Sequence, residues 1–450
     1  MSQLITFPDN FIWGCSTAAY QVEGEPYADG AGPSIWDRFS HIPGNVLNGD
    51  TGDIACDHYN RYLDDVKLIR DLGMQSYRFS IAWSRIFPQG RGFLNQPGLD
   101  FYNRLVDALL EQNIQPMITL YHWDLPQALD EIGGWLNPDI VKWFGDYAEA
   151  VFKCLDDRVT YWATLNEPWV ITDGGYMHGA HAPGHRSHYE AAIVTHNLMR
   201  SNAEAVRRYR SVGKHEIGLV VNLEPKYSFS QSQEDLAATQ RADAYMNRQY
   251  LDPAIHGTYP EELQEIFGDA WNISPQNGEE KLNEPIDFIG INYYTRGITR
   301  YAPDAWPLFA ETVHQSQSIY TETGWEVCPE AFTDVLNWVR ENYNNPPVYI
   351  TENGSAFYDP PAAEGGCIDD PLRQSYMRSH IKSVHQAIQD GCDIRGYFTW
   401  SLMDNLEWAN GFSKRFGLVH INYQTLERTP KESAKLYRQI IETNGGCLNT

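Results

Sequence analysis

The chain has 450 residues, 59 acidic against 34 basic side chains, a formal charge of −25 and 42% apolar content. That is enough to build a large core, and no stretch approaches the roughly 20 uninterrupted apolar residues that a membrane span requires. So acidic a surface repels phosphate backbones and anionic lipids, which argues against nucleic-acid and membrane partners and assigns the charge to solubility.

In chain order, short β-branched or aromatic runs alternate with polar loops and stretches of helical period. The N-terminal MSQLITFPDN lacks the basic flank and apolar core of a secretory signal, and the first run, FIWGCST, starts at Phe11. A helix is predicted from Arg61 (RYLDDVKLIRDLG), a strand from Ser76 (SYRFSI) and a second helix from Asp100 (DFYNRLVDALLEQN). Further runs follow as QPMITLYH from Gln115, TYWATLNE from Thr160, EIGLVVNL from Glu216, DFIGINYY from Asp287, PVYITENG from Pro347 and IRGYFTWS from Ile394. Eight runs, each followed by helical sequence, predict an α/β fold: a single (β/α)8 TIM barrel rather than an open doubly wound sheet. No linker, charge block or repeat interrupts the sequence, so residues 1–450 are expected to form one domain. The seven cysteines, Cys15, Cys56, Cys154, Cys328, Cys367, Cys392 and Cys447, are scattered without a CxxC pair. They suggest neither a zinc site nor a disulfide framework, and a reduced, cytoplasmic setting is expected.

Barrel enzymes carry their chemistry at the C-terminal ends of the strands, and polar side chains fall there in this sequence. His122 closes the third run, Asn166 and Glu167 the fourth, Asn292 and Tyr294 the sixth, Glu352 the seventh and Trp400 the eighth. Aromatic residues make up 13% of the chain, with 14 Trp and 27 Tyr, and flat rings with polar edges suit sugars. Trp83, Trp135, Trp143 and Trp162 sit in core-like segments and are assigned to packing.

Glu167 in TLNEP and Glu352 in ITENG both end apolar strands, the first followed by Pro168 and the second with Gly354 two residues on, read as permitting the turn. Acetal hydrolysis needs a proton for the leaving oxygen and a negative charge at the oxocarbenium-like carbon, which two carboxyl groups of unlike pKa supply. Arg78, in YRFS, is expected to keep Glu352 anionic, whereas a less compensated Glu167 holds its proton.

The sequence resembles glycoside hydrolase family 1, and within it the bacterial β-glucosidases, almost end to end. The motifs run from FIWGCSTAAYQVEG through YRFSIAWSRI, LYHWDLP, TLNEP, INYYT, ITENG and GYFTWSLMDNLEW to KRFGLVHINY. The resemblance implies a retaining β-glycosidase without metal or cofactor, with Glu167 as acid/base and Glu352 as nucleophile. It implies a sugar site of Gln21, His122, Trp400, Glu407 and Trp408, with Asn166 on the 2-hydroxyl and Trp325 toward the leaving group. Asn292 and Tyr294 fall in the active-site shell, Tyr294 hydrogen-bonding the nucleophile. Expected substrates are cellobiose, short oligosaccharides and aryl glucosides, with galactosides, fucosides and transglycosylation as side activities; a homo-oligomer is left open.

Two other readings compete with this one. A 6-phospho-β-glucosidase resembles a Ser, a Lys and a Tyr around its phosphate, where this chain has Glu407, Lys414 and Phe416. A carboxylate at Glu407 would repel a dianionic phosphate, so a neutral sugar is expected. A non-catalytic carbohydrate-binding protein would be expected to have lost a carboxylate, and both are present.

Overall fold

The computed structural model describes residues 4–273, 281–360, 366 and 368–449. Each apolar run becomes a strand: β1 Ile12–Ser16, β2 Ser76–Ser80, β3 Gln115–Tyr121, β4 Tyr161–Asn166, β5 Glu216–Asn222, β6 Phe288–Asn292, β7 Val348–Asn353 and β8 Ile394–Trp400. All pair in parallel with their sequence neighbours, and β8 pairs with β1 to close the barrel. A closed sheet has no edge, and its strands are buried on both faces, which is why they read as nearly continuous apolar runs. Met117, Phe288, Tyr349 and Phe398 form a small apolar cluster with Ile12 and Tyr161. These side chains come from six strands around the barrel and can meet only in its interior, so the barrel is filled.

Helices pack outside. His58–Asp71 and Gln96–Glu111 begin three and four residues before the predicted starts at Arg61 and Asp100. In the second, Pro97 occupies the first turn, where a missing N–H costs nothing. Further barrel helices are Ile140–Leu155, His188–Val212, Pro329–Asn342, Pro371–Gln389 and Glu432–Glu442. Beyond the eight predicted runs, Lys226–Ser228, Gly297–Tyr301 and Ala310–Thr312 form a small sheet, and Val419–Ile421 pairs with Arg428–Pro430. These pieces are too short for periodicity to register.

Trp83, Trp135 and Trp162 are fully buried, and Trp143 nearly so under the Arg91 guanidinium, in keeping with packing roles. Cys367 lies outside the described residues; Cys15, Cys56, Cys154, Cys328 and Cys392 are free thiols. Among the described residues no helix is long and apolar enough to cross a membrane.

Candidate active site

The two strands that end in carboxylates are both irregular. Pairing register shifts between Ala163 and Asn166 on β4 and between Ile350 and Glu352 on β7. Such bulges re-aim a side chain at a strand end. Glu167 follows with φ +47°, in the left-handed region, before Pro168 opens a short helix. Trp123 and Trp408 share this backbone state, at φ +79° and +49°. All three line one cavity of about 440 Å³ at the C-terminal mouth of the barrel. Non-glycine residues held this way cost roughly 1 kcal/mol or more each, and such strain clusters at functional sites.

Glu167 and Glu352 both face this cavity and are 6% and 3% exposed, yet their surroundings differ. Glu352 receives the Arg78 guanidinium on Oε1 at 2.6 Å and the Tyr294 hydroxyl on Oε2 at 2.7 Å. Glu167 accepts one bond, from the Asn292 amide at 2.7 Å. Burial pushes both carboxyls up. For Glu352, Arg78, Tyr294 and Asn292 pull back toward the anion. For Glu167 the negative charge of Glu352 adds to burial and holds it well above the ordinary carboxylate range. The pair therefore rests with the proton on Glu167 and the charge on Glu352.

A hydrogen-bonded chain fixes the floor. Arg78 donates to Asn166 Oδ1 at 2.6 Å, Asn292 donates to the same oxygen at 3.1 Å, and Thr351 orients Asn292 through a 2.6 Å bond to its carbonyl. The Asn166 amide donates to His122 Nε2 at 3.1 Å, which leaves the His122 proton on Nδ1. Burial and the neighbouring Arg78 charge keep His122 neutral. Trp400 and Trp408 stack on the His122 ring, each with centroids 5.9 Å away. His122 Nδ1, Gln21 Oε1, Glu407 Oε2, Asn222 Oδ1 and Trp169 Nε1 are buried without a protein partner among the described residues. Buried polar atoms are normally satisfied, so such a set around one cavity is what a polyhydroxylated ligand would complete.

Two expectations need correction. Gly354 has no left-handed φ; a Cβ there would sit 1.7 Å from the Trp400 carbonyl oxygen, so glycine is needed for close approach of β8 rather than for a turn. Glu407 does not present a fixed negative charge, because burial and repulsion from Glu352 push it up to about 8. Among the described residues the pocket wall contains Phe416 but neither Lys414 nor any other lysine or arginine, so no cation there stands ready to pair with a phosphate. Gln21 is fully buried, its amide nitrogen bonded to Asn405 Oδ1 and the Leu406 carbonyl, which leaves Oε1 unpartnered among the described residues.

Residues 3–446 match the sequence profile of Glycosyl hydrolase family 1. The chain belongs to this family. It is 47% identical to a 1,4-beta-D-glucan glucohydrolase of Thermotoga neapolitana, over 98% of this chain and 99% of that one. The structure of a family 1 β-glucosidase from Thermotoga maritima superposes with a TM-score of 0.95 at 46% identity, covering 98% of this chain and 100% of the other. A complex from the same organism with a cyclophellitol analogue transition-state mimic gives 0.96, at 46% identity and 98% and 99% coverage. The chain is accordingly a glycoside hydrolase with the (β/α)8 barrel.

Within this family 1 site, Glu167, Glu352, His122, Asn292, Tyr294, Trp325, Trp400, Glu407 and Trp408 line the cavity, while the buried Arg78 and Asn166 bond directly to the lining residues Glu352 and His122, and Gln21 bonds to Leu406 next to Glu407. Sequence reasoning passed over Asn222, Trp169, Asp173, His181 and Met246, which also line it. Asn222 carried a usable signal, since it ends β5 as Asn166 and Asn292 end their strands. Outside the cavity, Asp359, Asp404 and His420 bring three metal-ligating side-chain atoms within 4.8 Å of one another. The Lys431 ammonium already stands between the two carboxylates, 2.6 and 2.8 Å away, so a cation is built into the protein there.

Proposed function

We propose that this chain is a retaining β-glucosidase, a single catalytic domain acting on terminal β-D-glucosyl residues of cellobiose, short oligosaccharides and aryl glucosides. The observation that carries the reading is the contrast between the two buried carboxyls, one proton-bearing and one ion-paired. In the first step the Glu352 carboxylate forms a bond to the anomeric carbon while Glu167 gives its proton to the departing glycosidic oxygen. Esterification removes the negative charge of Glu352, and with it the repulsion that raised Glu167. Glu167 is then the stronger acid, resting as a carboxylate able to take a proton from water. That water attacks the anomeric carbon and expels Glu352, restoring both groups with net retention. Asn166, held by Arg78 and Asn292, is suited to the 2-hydroxyl, and His122, Gln21 and Glu407 offer their unpartnered atoms to the other hydroxyls.

A neutral sugar is favoured by a wall that carries no lysine or arginine among the described residues, and a reducing cytoplasm by the free thiols of Cys15, Cys56, Cys154, Cys328 and Cys392. A panel of nitrophenyl β-glucoside, β-galactoside and β-fucoside, cellobiose and a 6-phospho-β-glucoside tests the reading. The plain glucosides should be turned over at least about tenfold faster than the phosphorylated one, for which the wall offers no charge partner. The reverse order would overturn the substrate assignment.

A further inference from the structure

Two exposed aromatic rings lie on the mouth side of the barrel, Tyr189 in the first turn of the helix His188–Val212 and Trp306 in the segment between β6 and β7. Trp306 is 56% and Tyr189 42% exposed. His188 lies between them, its ring centroid 4.9 Å from Trp306 at 90° and 4.2 Å from Tyr189. Two large rings left in water and held by a third form an ordered aromatic surface on which the apolar face of a ligand can stack.

The backbone links this surface to the cavity from two sides. His188 opens the helix His188–Val212, whose N-terminus is on the mouth side of the barrel, and Ser187 caps it. The Ser187 N–H donates to the Tyr176 carbonyl at 2.8 Å, two residues from Gly174 in the cavity wall. Chain geometry therefore keeps His188 within roughly 18 Å of that wall. On the other side Arg241 Nε donates to the Leu308 carbonyl at 2.8 Å, two residues from Trp306. Arg241 precedes the cavity-lining Met246 by five residues, about 7.5 Å of helical rise toward the rim. The platform thus continues the side of the cavity formed by Gly174 and Met246, opposite the Gln21–Glu407 end where the polar atoms await a sugar.

Resting on the β-glucosidase reading, we propose that Trp306, with His188 and Tyr189, is an outer sugar-binding platform for the leaving-group side of a β-glucan chain. The ring that is cleaved fills the buried end, so a longer chain must leave past Gly174 and Met246, and its further rings meet the exposed indole. The apolar C–H face of a pyranose stacks on such a ring, and the neighbouring imidazole and phenol offer hydrogen bonds to its hydroxyls. On this proposal nitrophenyl glucoside and cellobiose end short of the indole, whereas the longer cellotetraose meets it.

The test compares kcat/KM of the wild type with Trp306→Ala, Tyr189→Ala and Trp306→Phe on nitrophenyl glucoside, cellobiose and cellotetraose. Trp306→Ala should lower cellotetraose turnover about tenfold, the size of one aromatic contact, leave the two short substrates within about twofold, and be largely rescued in Trp306→Phe. Equal changes on all three substrates, or an unaltered cellotetraose rate, would overturn the platform. A wild type that cleaves none of the three refutes the glycosidase reading instead. Calorimetric binding of cellotetraose to wild type and Trp306→Ala then decides the platform by itself, equal affinities counting against it. Should Trp306→Ala abolish self-association in sedimentation while cellotetraose kinetics stay unchanged, the patch belongs to a second copy and the proposal fails.

Discussion

Replacing Tyr294 by Phe removes one hydroxyl from the site and little else. In the wild type that hydroxyl donates to Glu352 Oε2 at 2.7 Å, while the ring packs on Trp325 with centroids 4.8 Å apart, a contact Phe retains. A hydrogen bond to a charged group contributes about 1.5–3 kcal/mol, and Glu352 is too buried for water to replace it freely. At about 1.4 kcal/mol per tenfold, kcat/KM should fall roughly 10- to 150-fold. The pH dependence carries the sign. Tyr294 helps hold Glu352 as an anion, so its loss raises the Glu352 pKa, and because Glu352 reacts as the anion the acid limb of kcat/KM moves to higher pH. Burial and the charge of Glu352 keep the Tyr294 phenol itself protonated well past its ordinary range, so it contributes no limb of its own. The assay is kcat/KM on nitrophenyl glucoside between about pH 4 and 9, with circular dichroism to verify folding. An acid limb at the wild-type pH, with a rate within about threefold of wild type, would refute the role given to this hydroxyl.

Three more outcomes follow from the same geometry. Glu167→Ala should cost about 10²–10⁴-fold in the cleavage of cellobiose, whose leaving alcohol needs a proton, and far less in bond cleavage of a dinitrophenyl glucoside; equal losses would contradict the acid role. Glu407 has a folded pKa near 8 against about 4.3 unfolded, so the stability its proton contributes is complete below about pH 4.3 and is lost as pH rises through about 8. The melting temperature of Glu407→Gln should accordingly gain on wild type from about pH 5 to 9 while glucoside binding weakens, and a pH-independent difference would count against it. Gly354→Ala forces a Cβ against the Trp400 carbonyl, a backbone atom that cannot swing aside, and should cost about 1–3 kcal/mol of stability together with activity. Unchanged melting would show that the strand ends can part at no cost.

Much of this site was legible because barrel strands are apolar and their last residues are not. TLNEP and ITENG announce themselves by that change, and the eight runs that predicted the barrel all reappear as its strands. Asn222 obeys the same rule at the end of β5 and was passed over because its loop carries no neighbouring motif. Trp169 and His181 were hidden for another reason: they reach the cavity from a short helix and from a long loop, whose direction no periodicity encodes. The protonation of Glu407 depends on how deeply it is buried and how near Glu352 stands, and neither is a property of NLEW as a string. Gly354 was recognised as necessary for the wrong reason, since a clash with a strand 46 residues later in the chain leaves no local mark.

The central claim, that Glu352 becomes bonded to the sugar while Glu167 handles the proton, is tested most directly by trapping the glycosyl-enzyme. A 2-deoxy-2-fluoro β-glucoside with a good leaving group suits this, because the fluorine destabilises both oxocarbenium-like transition states while the leaving group speeds only the first. Mass spectrometry of the intact protein and then of its peptides should find one sugar per chain, attached to Glu352. Attachment to Glu167 or Glu407, or full turnover without any covalent species, would contradict the account.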